Sequence, residues 1–308
     1  MTTAAVIDLG TSSTRLLVTD GITREAFPPV VTRMGAALAS TGAISSDGLD
    51  RVRSTLHEYR AQIERIAPDH LSVIATSAAR DAANADDLFS VVADVLDTET
   101  RLLTGAEEGR LAFRGAVAAA DLPETQRLVV LDIGGGSTEV SIGTKAAGLV
   151  GVYSADIGAG RVTDTYLHGD PPGADELSAA LSVIQLHFDD ARRELDDLDG
   201  AISYGTVIGV GGTITTMAAV ELGLVQYDSD QIHHFRLDRD AAEDVFRVLA
   251  TEARADRAYN PGLPADRVDL IVGGAAIVVE SMRHLAIDEV LVSEHDILDG
   301  VAAEMMDL

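Results

Sequence analysis

The 308-residue sequence predicts an α/β protein made of two related halves facing a common cleft, and three observations support this. Leu128-Val-Val-Leu-Asp-Ile-Gly-Gly-Gly-Ser-Thr-Glu-Val-Ser-Ile-Gly143 reads as a strand, a glycine-rich turn and a second strand. Residues 4–18 repeat that pattern: a shift of 124 positions superposes Asp8 on Asp132, Gly10 on Gly134, Ser13 on Ser137 and Thr14 on Thr138. The length suits two domains, each large enough for its own core. Residues 118–127, with Asp121, Pro123 and Glu124, mark the division, giving domains 1–122 and 123–308.

The elements follow in order. Residues 4–9 and 15–20 form the first hairpin, and 29–46 are irregular with a short strand and a loop. Leu49, Val52, Leu56, Tyr59, Ile63 and Ile66 recur every three or four positions behind the capping cluster Ser45-Ser46-Asp47, which predicts an amphipathic helix over 47–66. Leu71–Thr76 is a buried strand with Arg80 just past its end, and a helix covers 84–96. A short strand at 101–104 runs into a helix starting at Gly105. After the central hairpin come a strand at 149–154, the junction Gly158-Ala-Gly-Arg161 and a long helix over 174–195, with Asp189, Asp190 and Glu194 on a solvated face. Thr206–Met217 is another strand–glycine–helix junction. Helices over 239–252, 267–282 and 296–306, with a strand at 289–293, complete the chain.

Composition narrows the function. Hydrophobic residues make up 46% of the chain, which excludes wholesale disorder, and the absence of Cys excludes disulfides, thiolate metal sites and a Cys nucleophile. The start lacks a basic region and meets Asp8 early, and no apolar run is long enough to span a bilayer, so a soluble cytoplasmic protein is expected. Net charge is −27 and Lys145 is the only lysine. Such a field repels polyanions, so no nucleic-acid or anionic-membrane partner is expected. A phosphorylated substrate needs arginines and divalent cations close by.

The glycine turns point to that chemistry. Glycine lets a ligand approach the backbone, and successive amides form an anion-binding concavity. Asp132 and Glu139 flank the central turn as oxygen ligands for a hard cation such as Mg²⁺, which shares its shell with phosphates. A tight hairpin with two solvated acids is the alternative. Arg80, past the carboxyl end of a strand, suits a phosphate oxygen pair, or else pairs with Asp81 or Asp86. Gly158, Gly160 and Arg161 offer a further anion contact. Gly211 and Gly212 form a turn with Thr213 capping the next helix, where a phosphate fits naturally. Glu107 and Glu108 both lie in a helical first turn, and either can be a general base; spacing does not choose. His233 and His234 read as structural, without zinc.

Taken together, Ile7-Asp-Leu-Gly-Thr-Ser-Ser-Thr-Arg15, Ala75-Thr-Ser-Ala-Ala-Arg-Asp81, Thr104-Gly-Ala-Glu-Glu-Gly-Arg110, Asp132-Ile-Gly-Gly-Gly-Ser-Thr-Glu139, Gly158-Ala-Gly-Arg161, Gly209-Val-Gly-Gly-Thr213 and Arg267-Val-Asp269 resemble the exopolyphosphatase/guanosine pentaphosphate phosphohydrolase family in its short two-domain form. The resemblance implies two ribonuclease H-like domains of the actin, sugar-kinase and Hsp70 ATPase superfamily. It implies a homodimeric hydrolase that releases terminal phosphate from inorganic polyphosphate with Mg²⁺. Glu108 is then the catalytic glutamate, Arg80 a catalytic residue that holds charge on the phosphate, and Asp132 and Glu139 the metal ligands, with Asp8 beside them as a further candidate. Gly10, Thr11, Ser12, Ser13, Arg15, Gly134, Gly135, Gly136, Ser137, Thr138, Gly211, Gly212 and Thr213 bind the phosphates. The sequence departs from the family pattern at Ser12, where many members have Asn, and at Leu298-Asp299-Gly300, where Arg-Glu-Gly is usual. The chain also stops at Leu308, where long members continue into a helical domain. These departures predict a weaker grip and a preference for short chains. Guanosine pentaphosphate hydrolysis, a kinase of the same superfamily, or a non-catalytic sensor of (p)ppGpp or polyphosphate are the alternatives.

Overall fold

A computed structural model describes residues 2–199 and 205–306. The first sheet contains β1 (Ala4–Leu9), β2 (Thr14–Thr19), β3 (Arg24–Ala26), β4 (His70–Ala75) and β5 (Thr100–Leu102). Their order is β3-β2-β1-β4-β5, with the β1–β2 and β2–β3 pairs antiparallel and β1–β4 and β4–β5 parallel. Between these strands lie α1 (Leu38–Thr41), α2 (Ser46–Ile66), α3 (Ser77–Asp81) and α4 (Ala85–Leu96), and α5 (Gly105–Ala119) then leads to the second half.

The second sheet contains β6 (Leu128–Ile133), β7 (Thr138–Thr144), β8 (Gly148–Ala155), β9 (Thr206–Val210), β10 (Arg236–Asp238) and β11 (Glu289–Val292), in the order β10-β11-β9-β6-β7-β8. Apart from the added edge strand β10, it repeats the first sheet's order and directions, so the duplication read from the two hairpins extends to whole sheets. The remaining helices are α6 (Ala159–Tyr166), α7 (Ala174–Asp199), α8 (Gly212–Glu221), α9 (Ser229–Ile232), α10 (Arg239–Thr251), α11 (Arg254–Arg257), α12 (Ile271–His284) and α13 (Ile297–Met305). Among the described residues, no helix is long and apolar enough to cross a membrane.

Each half buries its own core. Ile7, Leu9, Leu16, Val52, Leu56 and Leu88 pack between the first sheet and α2 and α4. Leu131, Ile133, Val140, Ile184, Phe188, Ile277 and Val278 pack between the second sheet and α7 and α12. Two helices tie the halves together. The carboxyl part of α5 covers the second sheet through Phe113, Ala116 and Val117. The last helix, α13, returns to the first sheet, where Ile297, Leu298 and Val301 pack with Val6, Leu17, Leu111 and Ala112. This covering is why Leu298, in a motif where a charged residue is usual, is apolar here: it is 4% exposed.

The helix predicted over 267–282 begins only at Ile271. Residues 267–270 form turns, in which the Arg267 carbonyl accepts the amides of Leu270 and Ile271. The segment that does become helical runs from Ile271 to Met282 fully buried, a place where the charges of Arg267 and Asp269 would be costly.

Candidate active site

Both glycine loops are bound from behind so that their amides face the cleft. In each hairpin the same turn closes: the Gly10 amide donates to Ser13 O and the Gly134 amide to Ser137 O, both at 3.0 Å. The carbonyls of Thr11 and Ser12 accept the amides of Gly35 and Arg33. The carbonyls of Gly134 and Gly135 accept Ala159, Gly160 and Arg161 from the start of α6, and Arg161 Nε donates to Gly136 O at 2.9 Å. The amides of Gly158-Ala-Gly-Arg161, expected as an anion contact, thus support the loop, and Arg161 Nη2 meets Asp81 and Ser77. Thr138 also serves from behind, donating to Ile157 O at 2.7 Å. Among the described residues, the amides of Thr11–Ser13 and Gly135–Ser137 have no hydrogen-bond partner.

The two loops touch. A Cβ on Gly135 would lie 2.2 Å from Ser12 Oγ and 2.9 Å from the Ser12 amide nitrogen, and one on Gly136 would lie 2.5 Å from both Thr11 Oγ1 and Ser77 Oγ. These glycines therefore serve loop-to-loop contact as well as ligand approach.

Acids cluster beneath. Asp132 and Glu139 are register partners across β6 and β7, and Glu139 is 2% exposed with Ser154 Oγ donating to it at 2.8 Å. Burial pushes both carboxyls up from their ordinary range, Asp132 further by the charge of Asp296 and Glu139 further by that of Asp132. In the first hairpin, Arg15 donates twice to Asp8 Oδ2, while Asp8 Oδ1 is buried without a partner. Burial raises the Asp8 pKa, with the Arg15 charge acting against it. The residues fit a hard cation by chemistry, with oxygen donors and one orphaned carboxylate oxygen. Among the described residues no group of three acidic or histidine side chains is arranged as a preformed metal site. Arg15 occupies Asp8 Oδ2 and leaves Oδ1 as its remaining oxygen. One or two carboxylates with waters and phosphate oxygens remain, a shell that Mg²⁺ accepts.

The start of α5 separates its two glutamates. Thr104 caps the helix, and Glu107 folds back onto the Thr104 amide and hydroxyl, each at 2.9 Å, completing a capping box. Glu108 turns into the cleft, 6% exposed, against Arg80. Gly109 lets this turn lie on β7 and β8: a Cβ there would be 2.3 Å from Val152 Cγ2 and 3.5 Å from Glu139 Cβ. Arg80 also donates to Leu103 O at 2.9 Å and does not line the cleft. Its guanidinium, expected to meet phosphate or to pair with Asp81 or Asp86, pairs with Glu108. The signal that could have separated the glutamates was in the sequence, in the capping spacing Thr104-x-x-Glu107.

The cleft between the halves is a cavity of about 630 Å³ that reaches from both loops to the start of α8. Gly211, at φ +90°, turns the chain into α8, whose first residues Gly212 and Thr213 line the cavity. The Arg267 guanidinium lies over Gly212, where an added Cβ would be 2.1 Å from Nη1. It has no ion pair or hydrogen bond among the described residues, and desolvation lowers its pKa. Sequence reading assigned Arg267 to a helix and missed Arg24, which also lines the cavity. Arg24 Nε donates to Asp299 at 2.8 Å, so a guanidinium from β3 stands beside the motif that lacks its own. No sequence signal links these positions, which are 275 residues apart.

Residues 28–308 match the Ppx/GppA phosphatase family. The exopolyphosphatase 2 of Mycobacterium tuberculosis is 36% identical over 325 aligned positions, covering 99% of each chain. The chain belongs to the Ppx/GppA phosphatase family. A crystal structure of an exopolyphosphatase-like protein superposes with a TM-score of 0.89 at 31% identity, over 98% of both chains. The Aquifex aeolicus member of the Ppx/GppA family superposes with a TM-score of 0.79 at 26% identity, over 99% of this chain and 98% of that one. Both superpose over nearly the whole chain and so share the α/β fold of two mixed sheets described above.

Proposed function

We propose that this protein is a Mg²⁺-dependent exopolyphosphatase, removing terminal phosphate from inorganic polyphosphate by in-line attack of water. The observation that carries the reading is the pair of touching loops, whose six amides without a partner among the described residues line one cavity with Glu108, Asp132, Glu139 and Arg267. Relatives named exopolyphosphatase support it. In this reading the amides of Thr11–Ser13 and Gly135–Ser137 hold the terminal phosphoryl group where charge develops. Glu108 orients and deprotonates the attacking water, and Arg80 is its positioning residue. Asp132 and Glu139 hold Mg²⁺, which neutralises phosphate oxygens when bound. Arg267 and the start of α8 take phosphates further along the chain. A single unpaired guanidinium gives a short grip, which favours short chains.

One observation favours a second reading. Phe27, Pro28, Pro29 and Val31 form an apolar stretch of the same cavity, suited to a nucleoside, and so to guanosine pentaphosphate as substrate or (p)ppGpp as ligand. The experiment is phosphate release with Mg²⁺ from short polyphosphate, long polyphosphate and guanosine pentaphosphate, using wild type, Glu108→Gln and Glu107→Gln. Glu108→Gln is expected to lose roughly 10²–10⁴-fold in kcat, the worth of a general base, while Glu107→Gln keeps its rate. Unchanged turnover in Glu108→Gln removes that residue as the base. Binding without release from any substrate favours a sensor.

A further inference from the structure

The two hairpins are copies that differ, among their charged residues lining the cleft, at one position. In the second, Asp132 pairs in register with Glu139; in the first, Asp8 pairs with Arg15. Arg15 Nη2 and Nε donate to Asp8 Oδ2 at 2.8 and 3.1 Å, and Nη1 reaches Asp296 Oδ2. Asp296 is itself fixed, its Oδ1 accepting the Leu298 amide at 3.0 Å as the cap of α13. Asp8 and Asp296 are 5% and 6% exposed, so water does little to offset their charges. Burial works against the guanidinium charge, yet the two carboxylates hold Arg15 protonated more firmly than usual.

We infer that Arg15 is a built-in counter-cation: it stands in the first hairpin where the second has a metal-ligating glutamate, neutralises Asp8 and Asp296, and restricts the cleft to one divalent cation, on the Asp132 and Glu139 side. The inference rests on the reading of Asp132 and Glu139 as the Mg²⁺ ligands. It makes Arg15 a positioning residue, with its three nitrogens committed to carboxylates.

The test counts Mn²⁺ ions bound by the full chain without substrate, by electron paramagnetic resonance titration. Wild type is expected to bind one, Asp132→Asn none, Arg15→Glu two and the double variant one. The increment decides the inference: a folded Arg15→Glu that binds no more Mn²⁺ than its parent overturns it, as does a wild type that binds two. Retention of the wild-type ion in Asp132→Asn overturns the metal reading instead, and the increment in Arg15→Glu still judges the role of Arg15. If Arg15→Glu does not fold, Arg15→Gln replaces it. That variant is expected to lose melting temperature without metal and to gain several degrees more from Mn²⁺ than wild type does. An equal Mn²⁺ shift in both overturns the inference.

Discussion

Gly135→Ala isolates the contact between the two glycine loops. The Gly135 backbone is not in the left-handed region, so alanine is tolerated conformationally and the effect is steric. The new methyl would sit 2.2 Å from Ser12 Oγ, which can rotate away, and 2.9 Å from the Ser12 amide nitrogen, which cannot. Ordinary contact begins near 3.4 Å, so the loops must part by about half an ångström. Overpacking of this kind costs ~1–3 kcal/mol, which lowers the population of apposed loops by roughly 5- to 150-fold. Because the loops hold the phosphate in substrate and transition state alike, the loss falls mainly on KM. The assay is steady-state phosphate release, with circular dichroism to confirm folding. Ser12→Gly in the same chain removes the hydroxyl and its carbon and should restore part of the loss. A folded Gly135→Ala with unchanged kcat/KM would refute the idea that both loops form one cradle.

Two further outcomes follow from the acids and the helices. Asp132 and Glu139 have raised pKa values, so above the ordinary carboxylate value of about 4 the folded state holds protons that the unfolded chain has lost. Their contribution to stability is therefore present at low pH and declines as pH rises through the raised values. A bound cation must displace those protons, so the gain in melting temperature from Mg²⁺ should be larger at pH 8 than at pH 5.5; scanning calorimetry with and without Mg²⁺ checks this, and an equal gain at both contradicts it. Gly300→Ala would place a methyl 1.9 Å from Leu111 O, where α13 crosses α5, and should destabilise by ~1–3 kcal/mol or more, read from urea unfolding.

What was legible in the sequence was local. Asp8, Asp132 and Glu139 announced themselves because an acid at the end of an apolar strand, followed by glycines, has few uses, and the copy at a fixed shift gave the two-fold plan. The short edge strands β3 and β10, Arg-Glu-Ala and Arg-Leu-Asp, were not legible, because three residues with at most one large apolar side chain carry neither a period nor an apolar run. Gly158-Ala-Gly-Arg161 looked like an anion site because glycines before a helix mean free amides; whether those amides meet a phosphate or a neighbouring carbonyl depends on what folds against them.

The sequence by itself determined the repeated strand–turn–strand units, the amide-rich loops, and the acids beside them, since each is set by residues within about ten positions through backbone geometry and side-chain period. Only the tertiary structure decided the rest: that α13 crosses back to the first sheet, that Arg80 holds Glu108, that Arg267 stands unpaired over α8, and that Arg15 joins Asp8 to Asp296 across 281 positions. A buried charge is costly unless it is paired, and which opposite charge comes within reach depends on the packing of distant helices.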